Sequence, residues 1–377
     1  MKIEQIVWQE GHWQGLSSSS QLDSINTLII VFGRASDASL VQLSAKMPHS
    51  QVIGCSTAGE IIDNTILENA VVATIILFEK STIHLASAHI EEGVRTSFNI
   101  GVQLGQELSS HKDNLKHVFV LSDGLLINGG YLVEGFRSVL PSDVQVTGGL
   151  AGDGEHFSRT FVTSGVKTES GAVVALGLYG ESLDIRFGSR GGWCPFGMER
   201  KVTQAKDNVL YELDDQNALD IYKAYLGDLA DELPASGLRF PLEITLPEKN
   251  LKLVRTLLAT NENDGTITFA GNIPKGVSAK LMRASSDSLI DGARLAASLC
   301  HDEENQAPTV AILISCVGRK LLLRQLAEDE VEAVHNELGE NVVICGFYSY
   351  GEIAPIDKNG KSELHNQTMT ITTLREL

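Results

Sequence analysis

The feature that most constrains the fold is an internal repeat in which helices alternate with short apolar strands. Residues 96–179 read as a helix, a strand ending at Ser122, a helix, a short strand, a glycine-rich turn and an apolar strand. Residues 285–374 follow the same order, and residues 28–90 contain a third copy. This alternation is typical of α/β proteins, because each helix returns the chain to a sheet.

A glycine motif marks the same place in each copy. Gly54–Ile61 and Gly346–Ile353 both read Gly-x4-Gly-Glu-Ile, and the middle copy, Gly148–Asp153, is one residue shorter. The chain has 35 glycines against 9 prolines, and many glycines lie beside apolar runs rather than in flexible linkers. A strand that stops at one glycine and resumes after another must bend sharply, so the acidic side chain can bond turn N–H groups or face a cavity. We therefore expect three related turns.

The predicted fold class is α/β, a two-domain duplicated architecture with mixed sheets flanked by helices. Hydrophobic patterning predicts strands at residues 28–32, 51–55, 70–78, 82–90, 117–122, 144–148, 171–179, 183–188, 252–261, 309–315, 341–345 and 368–374. It predicts helices at residues 98–110, 130–140, 217–226, 286–300 and 322–338. The acidic segment Gly227–Pro234 is the best candidate for a crossing between the two halves.

Charge and cysteine content narrow the range of functions. Lys and Arg number 30 against 48 Asp and Glu, and this net charge of −18 argues against a general surface for nucleic acid or anionic lipid. The five cysteines are scattered without a C-x-x-C pair, which favours a reducing compartment. The first residues lack a signal-peptide core, and no apolar stretch is long enough for a membrane span. We expect a cytoplasmic protein without nucleic-acid or membrane partners.

Several sequence blocks together resemble the FIST family of bacterial sensory domains. The matching blocks are residues 52–60, 148–154, 192–197, 211–214, 218–222 and 346–353. The resemblance spans roughly residues 26 to 356 and places an N-terminal FIST module at 26–218 and a C-terminal FIST module at 219–356, after an N-terminal extension at 1–25. It implies ligand sensing rather than catalysis, with amino acids as the usual suggested ligands.

The sequence also resembles the NosP branch of this family, which implies a more specific function. That branch consists of haem-containing nitric oxide sensors that regulate histidine kinases, so the resemblance implies haem b, nitric oxide as the ligand and a separate histidine kinase or other signalling protein as the partner. Self-association into a homo-oligomer is left open. A haem site requires an apolar slot, an iron ligand and basic groups near the propionates.

Two sets of residues are the main candidates for the haem site, and His12, between Trp8 and Trp13, is a third possibility. His156 follows the Gly152-Asp153-Gly154 turn and is the candidate iron ligand. Cys194 and Pro195 form an alternative haem contact, with Trp193 and Phe196 flanking a porphyrin. The competing interpretation of residues 193–197 is a structural turn, and that interpretation is the favoured one for Cys194.

A small polar ligand such as an amino acid would use different residues. Glu60, Asp153 and Glu352 are candidates to receive an ammonium group, and Arg190 or Arg159 could receive a carboxylate. Aromatic walls would come from Trp193, Tyr348 and Tyr350. The alternative role of the three acids is to stabilise their turns by bonding local N–H groups.

The sequence offers little support for an enzyme. Gly54-Cys55-Ser56-Thr57-Ala58 approaches the G-x-S-x-G nucleophile elbow, but its fifth residue is Ala58 and no helical pattern follows. The glycines at 148–152 lack the Lys-Ser/Thr and the helix of a phosphate-binding loop. We predict a protein that is not an enzyme and has no catalytic residues.

Overall fold

Three repeats of one topology form the body of the protein. The computed structural model describes residues 1–91, 96–246, 251–302, 307–356 and 360–377. Each repeat has an opening strand, a parallel β-α-β unit, an outgoing hairpin and a closing antiparallel strand. The first repeat comprises β1 (Lys2–Gln9), β2 (His12–Gln14), α1 (Leu16–Ser19), β3 (Thr27–Phe32), α2 (Asp37–Lys46), β4 (Gln51–Cys55), β5 (Glu60–Ile62), β6 (Thr65–Leu67) and β7 (Val71–Leu77).

The second repeat follows directly, and the third is interrupted after its first strand. The second comprises β8 (Thr82–His89), α3 (Ser97–His111), β9 (Leu115–Ser122), α4 (Gly129–Val139), β10 (Gln145–Leu150), β11 (Val162–Ser164), β12 (Lys167–Glu169) and β13 (Ala172–Tyr179). The third opens with β14 (Leu183–Arg190). The insertion consists of β15 (Cys194–Pro195), β16 (Arg200–Lys206), β17 (Val209–Leu213), β18 (Gln216–Asn217), α5 (Ala218–Leu226), β19 (Leu242–Leu246), β20 (Leu251–Arg255), β21 (Leu257–Asn261), β22 (Thr266–Phe269) and β23 (Ser278–Arg283).

The third repeat resumes after this insertion. Its remaining elements are α6 (Ser286–Ser298), β24 (Thr309–Cys316), α7 (Val317–Leu323), α8 (Ala327–Leu338), β25 (Val342–Ser349), β26 (Gly351–Pro355), β27 (Ser362–His365) and β28 (Met369–Glu376). Helices flank mixed sheets throughout, which confirms the predicted fold class.

Each repeat forms most of one sheet and gives its hairpin to another. The strand orders are β12-β11-β4-β3-β7-β1-β2, β27-β26-β10-β9-β13-β8 and β14-β28-β24-β25-β5-β6. Hairpin β5–β6 of the first repeat joins β25 of the third, β26–β27 of the third joins β10 of the second, and β11–β12 of the second joins β4 of the first. The exchange is cyclic, so each of these sheets is completed by a neighbouring repeat.

The apolar strands of the sheets are buried on both faces. In β3, Leu28, Ile30 and Phe32 belong to a central cluster, whereas Ile29 and Val31 pack in a second cluster with residues of α2. This alternation follows from the two-residue period of a strand. Strands β9 and β24 supply the same central cluster, with Phe119, Leu121, Ile312 and Ile314. The inner faces of the three sheets therefore converge on one core.

The repeated glycines have a different role from the predicted one. Gly54, Gly148 and Gly346 lie inside β4, β10 and β25, which do not stop at these residues. A Cβ atom at any of them would lie 1.8–2.2 Å from a backbone carbonyl oxygen of the paired strand, that of Val31, Val120 or Leu313. The glycines thus permit a close approach of two parallel strands, and the bend follows further along the chain.

The inserted segment forms a fourth sheet. Its path is β20-β19-β23-β16-β17-β22-β21, with β15 beside β23 and β18 beside β17. Residues Gly227–Glu232, within the predicted crossing between halves, form a 3₁₀ helix in this unit instead. Leu229 and Ala230 pack against the apolar cluster of the inserted sheet, and this packing explains why the prediction of a crossing was wrong.

Candidate functional site

Two clefts lie beyond the carboxyl ends of parallel strand pairs, where ligands bind in α/β proteins. The first, here called the arginine cleft, lies beyond β3 and β4 and has a volume of about 600 Å³. It is lined by Arg34, residues 56–60, residues 68–70, Asp153, Gly154, His156, Ser158, Arg159 and Phe161. The second, here called the neutral cavity, lies beyond β9 and β10 and has a volume of about 300 Å³. Sequence reasoning placed Glu60, Asp153, His156 and Arg159 among its candidates, and the fold brings these four into the arginine cleft.

Glu60 lies on the floor of the arginine cleft with both carboxylate oxygens occupied. Its Oε1 accepts a hydrogen bond from the Thr57 hydroxyl, and its Oε2 accepts one from the Ala70 N–H at 3.1 Å. Burial raises the pKa of Glu60 above its ordinary value, although these two hydrogen bonds act in the opposite direction. The Glu60 side chain therefore links the start of β5 to the start of β7. This is the turn-stabilising role that the sequence offered as the alternative to ligand binding.

Asp153 organises the loop that forms one wall of the cleft. Its Oδ2 accepts hydrogen bonds from the backbone N–H groups of Ser158 and Arg159 at 2.9 and 2.8 Å, and its Oδ1 accepts one from the Tyr350 hydroxyl. Burial alone would raise the pKa of Asp153, but these hydrogen bonds outweigh it and hold the pKa below its ordinary value. Asp153 therefore carries a charge that is already satisfied.

Tyr350 ties this loop to the third repeat. Its hydroxyl oxygen accepts the N–H of Asp153 at 3.2 Å and that of Phe157 at 3.3 Å, and its ring stacks on Phe157 with centroids 4.4 Å apart. Burial, followed by the bond to Asp153, raises the pKa of Tyr350. Because Asp153 lines the arginine cleft and Phe157 lines the neutral cavity, this group of three residues forms the wall between the two clefts.

The arginines of the cleft have no carboxylate partner. Arg34 and Arg159 are exposed, and their guanidinium carbons lie 5.2 and 4.9 Å from the ring centroid of Phe161. Among the described residues, neither guanidinium has a carboxylate within salt-bridge distance. Six other arginines have one, namely Arg137, Arg186, Arg200, Arg294, Arg319 and Arg375, whereas the described arginines at 190, 239, 255, 283 and 324 also lack one. The two guanidinium groups of this cleft are therefore not engaged in a direct ion pair with the acids that share it.

Tyr348 belongs to the junction between the first and third repeats, which is filled by side chains. Its hydroxyl donates to Glu330 Oε2 at 3.0 Å, and Glu330 pairs with Arg319, both carboxylate and guanidinium being fully buried. Burial, then the neighbouring Glu330, raises the pKa of Tyr348. Lys320 donates to the Ala58 carbonyl at 2.7 Å and closes this junction. Tyr348 is thus part of a packed ion-pair network and lines neither cleft.

Glu352 is buried and also lines neither cleft. Its Oε1 accepts from the Ser349 hydroxyl at 2.8 Å, and its Oε2 accepts from Thr368 N–H at 3.1 Å and from the Thr368 hydroxyl at 2.9 Å. Burial raises the pKa of Glu352 to about 8. The pattern repeats that of Glu60, because each acid joins the start of an exchanged strand to the start of the closing strand.

The strand register shows that Asp153 does not occupy the position equivalent to Glu60 and Glu352. Glu60 lies opposite Phe347 and Glu352 lies opposite Gly149, each one residue after the close-approach glycine of the partner strand. The corresponding partner in the first sheet is Cys55, and the residue opposite it is Val162 rather than Asp153. The sequence match failed here because the connection before β11 is longer than the other two.

The predicted haem residues lie in separate places. His156 is exposed in the polar arginine cleft. Trp193 donates its indole N–H to the Gln367 carbonyl at 2.8 Å, and exposed Cys194 and Pro195 pair with β23 at the edge of the inserted sheet. Phe196 lines a third depression together with Phe240, Leu289 and Arg283, whose guanidinium carbon lies 5.3 Å from the Phe196 ring.

These placements do not fit a haem held by the predicted set. Neither a histidine nor a cysteine lines the Phe196 depression among the described residues, and the cleft that contains His156 has acidic groups in place of an apolar slot. Arg190, the other predicted carboxylate ligand, donates to the Ser189 carbonyl and lies outside both clefts.

Two further predictions concern Ser56 and the membrane. The hydroxyl of Ser56, the serine of the motif that approaches a nucleophile elbow, accepts a hydrogen bond from the N–H of Phe161 at 2.9 Å and so fixes the cleft wall. The absence of enzymatic activity stays a prediction. Within the described ranges, each helix is too short or too polar to cross a lipid bilayer.

Sequence reasoning missed Arg34 and Phe161. Arg34 follows Gly33 directly after the first parallel strand, and Phe161 directly precedes the exchanged strand β11. The available signal for Arg34 was its position at the carboxyl end of a predicted parallel strand. Phe161 carried no comparable signal, because its place depends on a hairpin that joins another repeat.

The fold and these clefts define the protein as a three-repeat α/β protein with accessible ligand-sized clefts between its repeats. The FIST N domain matches residues 27–216 and the FIST C domain matches residues 218–355. The chain belongs to the FIST family, as predicted, and FIST domains are associated with sensory signalling. The resemblance to the NosP branch stays a prediction.

Comparison with other proteins adds only distant similarity. None of the curated proteins compared matches the sequence. A cyanuric acid hydrolase from A. caulinodans is 8% identical, with a TM-score of 0.38, over 100% of this chain and 98% of its own. A chorismatase is 7% identical, with a TM-score of 0.36, over 99% of this chain and 98% of its own. Likeness at this level says nothing about activity here.

Proposed function

We propose that this protein is a sensory module that binds a small organic anion through a carboxylate group, of the amino-acid type, in the arginine cleft. The observation that carries the proposal is the pair Arg34 and Arg159, whose guanidinium groups contact Phe161 in one cleft and have no carboxylate within salt-bridge distance in the described parts of the chain. Guanidinium groups bind carboxylates through paired, charge-assisted hydrogen bonds.

The acids of the cleft do not compete for these arginines. Glu60 and Asp153 have their oxygens occupied by hydrogen bonds, and exposed Glu68 pairs with Lys320 at 2.5 Å. Two like charges in one cleft of an otherwise acidic protein attract a counter-charge, and a carboxylate supplies it. The carboxylate is therefore the anchoring group of the ligand.

The position of the cleft explains how binding could be sensed. Arg34 belongs to the first repeat, Arg159 to a loop of the second, and Tyr350 of the third repeat holds that loop. A ligand that contacts both arginines bridges two repeats and favours the arrangement in which they are close together. A separate signalling protein, such as a histidine kinase, would read the resulting change of surface.

Calorimetric titration with small carboxylates and amino acids tests the proposal, with the matching amides as neutral probes. We expect a carboxylate to bind once per chain and its amide not to bind. Replacing Arg34 or Arg159 with Ala should weaken binding roughly 10- to 100-fold, because a hydrogen bond to a charged group contributes about 1.5–3 kcal/mol. Arg190→Ala, an exposed arginine outside the cleft, is the control and should leave the affinity unchanged. Equal binding by all three variants would refute the proposal.

Haem-based sensing of nitric oxide remains a prediction from the resemblance. Adding haemin to the purified protein tests this prediction against carboxylate binding in the arginine cleft. A defined Soret band that responds to nitric oxide and disappears in His156→Ala or Cys194→Ala would make a haem sensor the better account. Saturable carboxylate binding without a Soret band would support the arginine cleft.

A further inference from the structure

The depression that Phe196 lines lies between the inserted segment and the third repeat, and is here called the three-arginine depression. It has a volume of about 690 Å³. The inserted segment contributes Phe196, Arg239, Phe240 and Arg283, and the chain that follows contributes residues 284–286, Leu289 and residues 322–324. A ligand in this depression would therefore contact both the inserted sheet and the helices α6 and α7.

The charged side chains of this depression are all cations. Arg239, Arg283 and Arg324 line it and are exposed, whereas Asp and Glu are absent from its described lining. Within the described ranges, none of these three guanidinium groups takes part in a hydrogen bond or a salt bridge. Three unpaired cations around one depression, in a chain with a net charge of −18, create a local field that attracts an anion of more than one charge.

Arg324 also occupies a backbone conformation that favours glycine. Its φ is 54° and its ψ is −115°, at the carboxyl end of α7. Gly227 has nearly the same conformation, with φ 57° and ψ −127°, at the carboxyl end of α5. A residue with a Cβ atom bears a conformational cost there that glycine avoids, and strained positions of this kind concentrate at functional sites. Because no hydrogen bond or ion pair of the described chain offsets this cost, the Arg324 side chain points to a ligand.

The rest of the depression is apolar and is held in place by packing. Phe196 and Phe240 are half-buried against the core of the inserted sheet, with ring centroids 5.5 Å apart. Leu322 is half-buried on the opposite side, in the apolar cluster of Leu289 and Leu323. The Arg283 guanidinium carbon lies 5.3 Å from the centroid of the Phe196 ring, so cationic and aromatic groups are neighbours. This combination suits a ligand that has a ring next to its charged group.

We propose that the three-arginine depression binds a phosphate monoester of an aromatic ring. The phosphate would contact the three guanidinium groups, and the ring would lie against Phe196, Phe240 and Leu322. A phosphate monoester carries about 1.5–2 negative charges at pH 7 and offers three acceptor oxygens, so it matches several arginines where a carboxylate matches one. The volume suits a ligand as large as a nucleotide.

This site goes beyond the proposed function, because its lining shares no residue with that of the arginine cleft. Calorimetric titration with phenyl phosphate tests it in the parent and in the Arg34→Ala, Arg159→Ala double variant, which lacks the arginines of the other cleft. We expect phenyl phosphate to bind once per chain in the double variant, with the affinity that this site has in the parent. Binding that disappears in the double variant would place phenyl phosphate in the arginine cleft and would overturn the assignment.

Inorganic phosphate and benzoate separate the two parts of the proposed ligand. Inorganic phosphate lacks the ring, and benzoate lacks the second charge, so each should bind the double variant at least about 10-fold more weakly than phenyl phosphate. Equal binding by either probe would refute recognition of an aromatic phosphate. Failure of phenyl phosphate to bind would also refute it, whatever the carboxylate titrations show.

Substitution of the arginines provides a second test in the same double-variant background. Arg239→Gln and Arg283→Gln should each weaken phenyl phosphate binding roughly 10-fold. Arg294→Gln is the control, because Arg294 is an exposed arginine of α6 that pairs with Asp291 at 2.9 Å, and its loss should leave the affinity unchanged. Equal affinities in all three variants would overturn the assignment.

Arg324 allows binding and folding to be separated. Arg324→Gly should weaken phenyl phosphate binding roughly 10-fold without lowering the melting temperature, because glycine relieves the strained backbone. Arg324→Ala, which keeps a Cβ atom there, should bind as weakly and melt at a lower temperature than Arg324→Gly. A parent-like affinity in Arg324→Gly, or a melting temperature below that of Arg324→Ala, would contradict the role assigned to this residue.

Discussion

Replacing Glu352 with Gln should change how the stability of this protein depends on pH. The carboxyl group is fully buried, and burial raises its pKa from 4.5 to about 8. Between these two pH values the unfolded chain has released the Glu352 proton while the folded protein still holds it. A rise in pH therefore favours the unfolded state, so this group lowers the stability progressively up to about pH 8.

The size of the effect follows from the shift in pKa. Each unit of pKa difference corresponds to about 1.4 kcal/mol, so Glu352 should cost about 3–4 kcal/mol between pH 5 and pH 8. Gln resembles the protonated acid, since its amide N–H can donate to the Ser349 hydroxyl while its oxygen accepts from Thr368 N–H and hydroxyl. The variant should match the parent near pH 5 and exceed its free energy of unfolding by a few kcal/mol at pH 8.

Urea denaturation at half-unit steps from pH 5 to pH 8.5, followed by tryptophan fluorescence, measures this difference. Glu181→Gln is the control, because Glu181 is exposed and its one salt bridge within the described ranges is to Lys116 at the surface. That variant should follow the parent within a few tenths of a kcal/mol at every pH. Parallel curves for the parent and Glu352→Gln would show that Glu352 is ionised in the folded protein and would refute the reasoning.

Two other substitutions test the wall between the clefts and the close approach of the strands. Tyr350→Phe removes the hydroxyl that bonds Asp153 and the Phe157 N–H. Thermal unfolding should show a loss of stability of about 1–3 kcal/mol, and calorimetry should show a weaker affinity for the carboxylate. A variant equal to the parent in both stability and affinity would contradict this role. Gly346→Ala would put a Cβ atom 1.9 Å from the Leu313 carbonyl oxygen and should prevent folding or cost more than about 3 kcal/mol. The matched Gly130→Ala in α4, whose added Cβ would lie 3.3 Å from Asn128 Oδ1 as its nearest neighbour, should change stability by less than about 1 kcal/mol, and similar behaviour of the two variants would refute the assignment.

Hydrophobic periodicity predicted much of the secondary structure because the strands are buried on both faces and the helices have apolar stripes. The predicted strand at residues 51–55 has the observed bounds of β4, and the helix predicted at 98–110 is α3 within one residue at each end. The opening hairpin β1–β2 and the helix α2 were missed. Both have mixed burial and short or weak periodicity, so their positions depend on packing against β7 and β3 rather than on local pattern.

The repeat was visible in the sequence, but the exchange of hairpins was not. Pairings such as Glu60 with Phe347 join residues 287 positions apart, and no local pattern specifies them. For the same reason, the sequence equated Asp153 with Glu60 and Glu352, whereas the register puts Val162 in that place. Four candidate residues were nevertheless brought into one cleft, because the glycine motifs mark strand ends and those ends meet. Arg34 carried no motif, and only the folded arrangement places it beside Phe161.

The central claim is that Arg34 and Arg159 recognise a carboxylate, and one ratio of affinities tests it most directly. Calorimetry would compare the carboxylate that binds best with its neutral amide, in the parent and in the Arg34→Ala, Arg159→Ala double variant. We expect the parent to prefer the carboxylate by at least about 100-fold and the double variant to lose that preference while remaining folded. An undiminished preference in the double variant would show that other residues recognise the charge and would contradict the account.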